Sequence, residues 1–191
     1  MNTAKTDFLA HGHGKTAPWM DLVNSQELDT FGKLTDHLSN PAWLPYFLKQ
    51  WHFAKPPRAA APLAQLQSLR SGLRMSCEAL SASKPTPAAA MHALNQALSL
   101  TGKRQLFQRQ NGLQLEFVPA KLGWELFLAE IACSFAETLG RGEGSRVKIC
   151  RNSGCRWVFY DRTKGKTRCW CSDKSCGNRE RVRRSRARAN R

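Results

Sequence analysis

Residues 147–161 read VKICRNSGCRWVFYD, and residues 168–179 read RCWCSDKSCGNR. Cys150 and Cys155 are separated by four residues, and so are Cys171 and Cys176. A tetrahedral metal ion can take two thiolates from each of two turns, and the segment between the turns brings them together. The spacing therefore predicts a structural zinc (Zn2+) site with these four cysteines as ligands.

The other interpretations of these cysteines are two disulfides or a set of buried thiols. Disulfides need an oxidising compartment, and the first thirty residues contain no continuous apolar run of the kind a signal peptide needs. The chain has seven cysteines, an odd number, and five of them lie among lysines and arginines in residues 150–176. Zinc and a cytoplasmic location are therefore favoured. Cys169 is the competing ligand, but its use would widen the second gap to six residues.

The second cysteine pair also carries a family motif. The run WCSDKSCGNR at residues 170–179, preceded by Phe159 and Asp161, resembles the CGNR zinc finger, which is named after residues 176–179. In that family the finger follows a helical ABATE domain, and the proteins are described as stress-induced transcription regulators. The resemblance implies the same architecture and role for this chain. Cys169 departs from the family pattern, which usually has a basic residue there.

The positive charge is concentrated at the C-terminal end. Residues 146–191 hold 16 Lys/Arg and 3 Asp/Glu, so they contribute +13 of the formal net charge of +16. This asymmetry indicates a polyanionic partner, nucleic acid first and an anionic membrane second. No apolar run approaches transmembrane length, so a membrane partner is not expected.

The sequence predicts a mainly α protein, with a helical N-terminal domain that contains one β-hairpin and a small C-terminal four-cysteine zinc finger. Residues 1–18 are interpreted as a flexible lead-in, 19–140 as the helical domain, and 146–191 as the finger with its arginine-rich tail. Residues 141–145 read RGEGS and predict a hinge with few contacts, so the two parts are expected to fold independently.

Apolar residues at three- and four-residue steps predict the helices. The inward-facing residues of the successive helices are expected to be Leu28, Phe31, Leu34 and Leu38; Leu44, Phe47, Leu48 and Trp51; Leu63, Leu66, Leu69, Leu73 and Leu80; Met91, Leu94 and Leu98; and, in a helix over 121–139, Trp124, Leu128, Ile131, Phe135 and Leu139. Arg70 and Arg74 lie one turn apart on another face and are expected to be solvated.

Asn111-Gly112 predicts a type I′ turn in a hairpin over residues 104–119, because both positions accept positive φ. Leu113, Leu115 and Phe117 alternate along its second strand, so one face is expected to be buried. A lone hairpin is marginal in water, so this one is expected to pack on the helices.

Six residues of the finger are expected to be structural. Trp157 and Phe159 are interpreted as core rather than as base-stacking platforms, and Trp170 lies beside a ligand. Asp161 is expected to accept hydrogen bonds from loop amides or from an arginine such as Arg168. The remaining two residues belong to the turn after the last ligand. Gly177 is expected to permit the sharp turn, and Asn178 is expected to cap or tie it through its side-chain amide. Lys148, Arg151 and Arg156 are expected to offset the negative charge of a four-thiolate zinc.

The candidate nucleic-acid contacts are arginines, whose planar guanidinium suits phosphates and guanine edges. They are Arg168, Arg179, Arg181, Arg183, Arg184, Arg186 and Arg188. The favoured function is a DNA-binding transcription regulator that acts on double-stranded DNA at the nucleoid, with a helical domain for sensing or homodimer formation. An RNA-binding or ribosome-associated zinc module and a protein-interaction adaptor remain alternatives. No catalytic constellation is present, and a four-thiolate zinc has no open position for water, so an enzyme is not expected.

Overall fold

The computed structural model of the chain describes residues 17–28, 32–53, 60–99, 102–110, 112–119 and 123–189, and these residues are mainly helical, as the sequence predicted. The helices are α1 (Pro18–Asn24), α2 (Trp43–Gln50), α3 (Leu63–Ser81), α4 (Ala88–Ser99), α5 (Trp124–Gly140) and α6 (Asn178–Ala189). Three antiparallel pairs are formed by the strands β1 (Gln26–Leu28) with β2 (Leu34–Asp36), β3 (Gly102–Arg109) with β4 (Gly112–Pro119), and β5 (Val147–Ile149) with β6 (Val158–Tyr160).

The core of the helical domain surrounds α1. Residues 19–24 of this short helix are all buried, and the ring of Trp19 lies edge-on to Phe135 of α5 at 5.0 Å. The indole of Trp19 donates a hydrogen bond to Thr138 Oγ1 at 3.3 Å. Pro18 begins α1, and its fixed φ suits a first helical position. Most of the lead-in predicted for residues 1–18 lies outside the described residues.

The helix predicted through Leu28, Leu34 and Leu38 was wrong. The segment forms β1 and β2, with Leu28 paired to Leu34, followed by a 3₁₀ turn at His37–Ser39. Gly32 has a φ of +81°, a left-handed conformation that ends any helix at this point. The leucine spacing was therefore a coincidence across a turn; Phe31 lies outside the described residues.

The predicted inward faces of the longer helices are correct in the middle and wrong near some of the ends. Leu66, Leu69 and Leu73 of α3 are buried, whereas Leu63, its first residue, is exposed. Met91 of α4 is exposed because Ala90 takes the inward position. Leu139, in the last turn of α5, is also partly exposed. Leu44, Trp51, Leu80, Leu98 and Trp124 are partly buried against the core.

The predicted β-hairpin forms, but part of its apolar face is not covered. The predicted turn position was wrong by one residue, because Gly112 already begins β4 and pairs with Arg109, so it lies after the turn. Gly112 has a φ of +105°, and the register pairs Gln108 with Leu113. Leu113 is 68% exposed and Leu106, on the same face, is 60% exposed, so the expectation that Leu113 is buried was wrong. Both leucines lie in the half of the hairpin nearer its turn. Asn111 and the side chains at positions 115 and 117 lie outside the described residues.

Arg70 and Arg74 are buried, contrary to the sequence-based expectation. The guanidinium of Arg70 donates to both carboxylate oxygens of Asp36 at 2.6 Å and to Ser25 Oγ at 3.1 Å. The hydrogen bond from Arg70 holds the pKa of Asp36 below its usual value. Both arginines face polar groups at the C-terminal end of α1 that have no access to water, and this burial gives them a structural role.

The zinc-finger segment packs directly on the helical domain. Arg74 donates to Val23 O at 3.0 Å and to Arg156 O at 2.5 Å. The side chain of Asn24 accepts from Val158 N at 2.8 Å and donates to Val158 O at 2.9 Å. Val147 and Val158 belong to the same buried cluster as the helices. The finger was expected to follow a hinge with few contacts. Instead, β5 and β6 pack apolar side chains against the core of the helical domain. Within the described part of the chain, no helix has the length and apolarity needed to cross a membrane.

This packing predicts that Asn24→Ala destabilises the whole chain by about 2 kcal/mol, because it leaves the N–H and C=O of Val158 buried without partners. Equilibrium unfolding in guanidinium chloride measures the change. Asn95→Ala, at an exposed position of α4, is the control and should stay within about 0.5 kcal/mol of the original protein. Equal stability of the two variants would contradict a shared core.

Candidate metal centre

Two turns bring the four cysteines together. Cys150 follows β5, and Cys155 precedes β6. Cys171 precedes a helical turn at Asp173–Gly177, and Cys176 lies within that turn. All four are buried, and their sulfur atoms lie within 4.8 Å of one another. The Sγ atoms of Cys155 and Cys171 are 3.7 Å apart, and those of Cys171 and Cys176 are 3.6 Å apart. A tetrahedron of sulfurs around zinc has edges of about 3.8 Å, so the donor set fits the ion.

The pKa values of Cys150, Cys155 and Cys171 depend on one another through the close contacts of these thiols. Hydrogen bonds from Cys155 and Cys171 lower the pKa of Cys150. The bond to Cys150 in turn raises the pKa of Cys155, and the bonds to both neighbours raise that of Cys171. The close sulfurs therefore oppose one another's ionisation, and a divalent cation at their centre would offset the charge of four thiolates. Such an ion crosslinks the two turns and, with four protein ligands, leaves no position for water.

Cys169 lies outside this group, with its Sγ directed to Thr167 O at 3.4 Å.

The first turn is held by Asn152, a residue that sequence reasoning missed. Its side-chain oxygen accepts from Gly154 N at 3.0 Å, and its amide donates to Cys176 O at 3.3 Å, which joins the two turns. Backbone N–H groups of Asn152 and Cys171 are directed at the sulfur of Cys150. An asparagine two residues after the first ligand is a signal for an Asx-turn, and it could have been recognised.

Close packing explains the glycine of the second turn. A Cβ at Gly177 would lie 2.5 Å from Asp173 Oδ1 and 3.0 Å from Trp170 Cδ1, and the φ of this glycine is not positive. Ser172 caps the turn by accepting from Ser175 N at 3.3 Å. Asn178, expected to tie the turn, is exposed and begins α6. The side-chain amide that holds this turn belongs instead to Asn152, which donates to Cys176 O.

The aromatic residues of the finger form its small core. Trp157 and Phe159 are buried with the four cysteines, and Trp170 packs partly buried against them. Arg168, expected to contact nucleic acid, lies over the ring of Phe159 with its guanidinium carbon 5.0 Å from the ring centre. Its Nε donates to Trp170 O at 2.8 Å, and it also donates to Cys171 O. The guanidinium is therefore committed to contacts within the finger.

Asp161 is fully buried and holds the loop that leads to the second pair. It accepts from Thr163 N at 3.0 Å and Thr163 Oγ1 at 2.6 Å, and from the backbone N–H of Arg168 at 2.9 Å. Its ionic partner is Lys148, at 2.8 Å, rather than the guanidinium of Arg168. Burial opposes ionisation, but the hydrogen bonds from Lys148 and Thr163 outweigh it and lower the pKa of Asp161.

The cation beside a ligand is not one of the three expected from the sequence. Lys148 is occupied by Asp161, and the guanidinium of Arg156 lies 3.8 Å from Glu78 of α3. Arg151 is exposed. Arg179 instead directs a guanidinium N–H to the sulfur of Cys176 at 3.7 Å, where it offsets part of the negative charge of the thiolates.

Comparison with known protein families assigns both halves of the chain. A family model described as "Putative stress-induced transcription regulator" (ABATE) matches residues 16–142, and the CGNR zinc finger matches residues 146–189. No curated protein matches the chain. The family matches confirm the resemblance seen in the sequence, and with the four clustered thiols they confirm zinc as the cofactor. They indicate a nucleic-acid-binding regulator.

The cysteine geometry predicts that Cys171→Ser loses the zinc and Cys169→Ser keeps it, because only the first removes one of the four clustered sulfurs. Metal analysis of the purified variants should find about one zinc per chain in Cys169→Ser and little in Cys171→Ser. The reverse result would show that Cys169 is the ligand.

The buried carboxylate predicts a pH-dependent cost for Asp161→Asn. At neutral pH the change leaves Lys148 without its anionic partner and should lower the free energy of unfolding by about 2 kcal/mol. Because the folded pKa of Asp161 lies below the unfolded value of about 4, the ionised carboxylate stabilises the fold above that pH. Denaturant unfolding should show the gap between the two proteins closing as the pH falls below 4. A gap that persists unchanged would contradict the ionic role.

Proposed function

This chain belongs to the ABATE family and carries a CGNR zinc finger, and from this membership and the geometry of α6 we propose that it is a transcription regulator that binds double-stranded DNA through α6. The observation that supports the proposal is an arginine-rich helix that directly follows the turn holding Cys176, here called the zinc turn (Asp173–Gly177). α6 begins at Asn178, two residues after Cys176. Its twelve residues span about 18 Å, enough to lie in a major groove about 12 Å wide.

Apart from Arg179, which contacts Cys176, the arginines of α6 fall into two classes according to whether they have an acidic partner. Arg181 pairs with Asp173 at 3.1 Å, and Arg183 and Arg184 pair with Glu180 at 2.5 and 3.4 Å. These pairs reduce repulsion along the helix and orient the guanidinium groups. The pair of Arg181 with Asp173 is exposed on both sides, so a phosphate can replace that carboxylate at small cost. Glu180 is buried, so Arg183 and Arg184 reach phosphates while they keep this carboxylate as a partner.

Arg186 and Arg188 form the second class. Both are exposed, and among the described residues neither has an acidic partner. They lie in the last turns of α6, furthest from the zinc turn. Guanidinium groups without a carboxylate partner are available to phosphates or base edges without first breaking an ion pair.

The aromatic residues of the finger favour duplex DNA over single strands. Single-strand binding uses exposed aromatic faces on which bases stack. Here Trp157 and Phe159 are buried, and Tyr160 and Trp170 are half-buried. The proposed contact surface is therefore a helix that enters a groove rather than a stacking platform.

The proposal assigns a binding role and no catalysis, because a zinc with four thiolate ligands has no open coordination position. It includes a homodimer through the helical domain, since a single helix covers only part of a helical turn of DNA and dimeric regulators present two recognition helices to two half-sites.

The test is the double variant Arg186→Ala/Arg188→Ala in the zinc-loaded chain, measured by fluorescence anisotropy on duplex DNA at several salt concentrations. If both arginines contact phosphates, the slope of log affinity against log salt should become shallower by about 2. Single-stranded DNA and duplex RNA of the same sequence serve as competitors. The matched control is Lys49→Ala/Arg141→Ala, which removes two exposed positive charges elsewhere.

An unchanged affinity and slope in the α6 variant would show that the helix is not the contact surface and would favour the adaptor function. Stronger competition by RNA than by DNA would favour the RNA-binding alternative.

A further inference from the structure

A cavity lies between α3, α4 and α5 in the helical domain. Its volume is about 250 Å³. The buried residues Leu69, Ala97 and Leu128 line its floor, one from each helix. The exposed polar residues Gln65, Gln96 and Glu125 line its rim. An apolar floor with a few polar groups at the mouth is the usual form of a small-molecule site.

The cavity has a clear origin in the packing of α3 against α4. The two helices touch at Gly72, where an added Cβ would lie 2.8 Å from the Cβ of Ala93 and 3.3 Å from Ala90 O. One turn closer to the N-terminus of α3, Ser68 lines the cavity, and Ala97 lines it from α4; both side chains are small and leave the space between the helices open. Empty apolar space of this kind lowers the stability of a core, and a larger side chain at either position could fill it.

The chemistry of the walls indicates the ligand. Trp124 lines one side of the cavity, and its ring is held edge-on by Phe127 at 5.7 Å. Glu125 is the next residue in the chain after Trp124. Among the described residues that line the cavity, it is the one with an ionisable side chain. Indole faces and carboxylates both attract organic cations. In a chain with a formal net charge of +16, a site whose ionisable group is a carboxylate discriminates against anions.

We propose that this cavity binds a small organic ammonium ion with an aromatic or aliphatic body. The body rests on Leu69, Ala97 and Leu128, and the ammonium group lies between the indole of Trp124 and the carboxylate of Glu125. Gln65 and Gln96 offer hydrogen bonds at the mouth. The volume is below that of typical drug-sized sites, which fits a ligand of about ten non-hydrogen atoms. The proposal goes beyond DNA binding and does not depend on it.

The test titrates the zinc-loaded full chain with phenethylammonium and, separately, with phenylacetate, which has the same ring and the opposite charge. Isothermal titration calorimetry and saturation-transfer NMR measure binding. The cation is expected to bind saturably and the anion is not. Glu125→Gln keeps the shape of the rim and should weaken binding of the cation about fivefold. Glu137→Gln, an exposed carboxylate later in the same helix, is the control and should leave it unchanged.

A second variant tests the location of the site. Ser68→Trp places a large side chain in the mouth from an exposed position, so it should abolish binding and leave the thermal unfolding temperature close to that of the original protein. Gln67→Trp, its exposed neighbour that does not line the cavity, should bind normally. Saturable binding that survives Ser68→Trp, equal binding of phenylacetate, or no saturable binding of phenethylammonium would each overturn the proposal.

Discussion

The structure depends on how the polar groups at the end of α1 are satisfied away from water. α1 is buried over its whole length after Pro18, so its last carbonyl groups need partners from the protein. Arg74 donates a hydrogen bond to the carbonyl of Val23, and the side chain of Asn24 pairs with the N–H and the C=O of Val158. Helix α1 is thereby joined to a strand residue 134 positions later in the chain. The side chain of Arg74 thus makes hydrogen bonds both within the helical domain and to the finger, and that of Asn24 holds the strand β6 that follows the first cysteine pair.

Local chemistry was readable from the sequence, and tertiary burial was not. The cysteine spacing predicted the four clustered sulfurs because the ligands of a metal lie within single turns, where spacing fixes geometry. The environment of Arg70 and Arg74 is set by residues far away in the chain, among them Asp36 and Arg156, and no local pattern indicates them. The region of β1 and β2 was mistaken for a helix because apolar spacing does not register a single residue such as Gly32 with positive φ. Asn152 was detectable in principle but was overlooked between two more conspicuous cysteines.

The finger uses its positive charge in two ways. Lys148 and Arg168 are bound to acceptors inside the finger, and Arg179 lies on a thiol, so these cations contribute to the fold. Further along α6, Arg183 and Arg184 share the buried carboxylate of Glu180. Arg181 joins an exposed ion pair, and Arg186 and Arg188 face solvent. The basic composition of residues 146–191 therefore overstates the charge available to a partner. A net charge counted from sequence describes the attraction of the finger at long range, whereas the exposed subset describes what can make contact.

The shared core has a consequence for the fate of the protein in the cell. Because Val147 and Val158 lie in the same buried cluster as the helices, a metal that holds the finger also stabilises the helical domain by mass action. A chain that has not acquired its metal is then expected to open more often as a whole and to be removed by proteases, which act on opened chains. The abundance of the regulator, and not only its activity, would follow zinc supply.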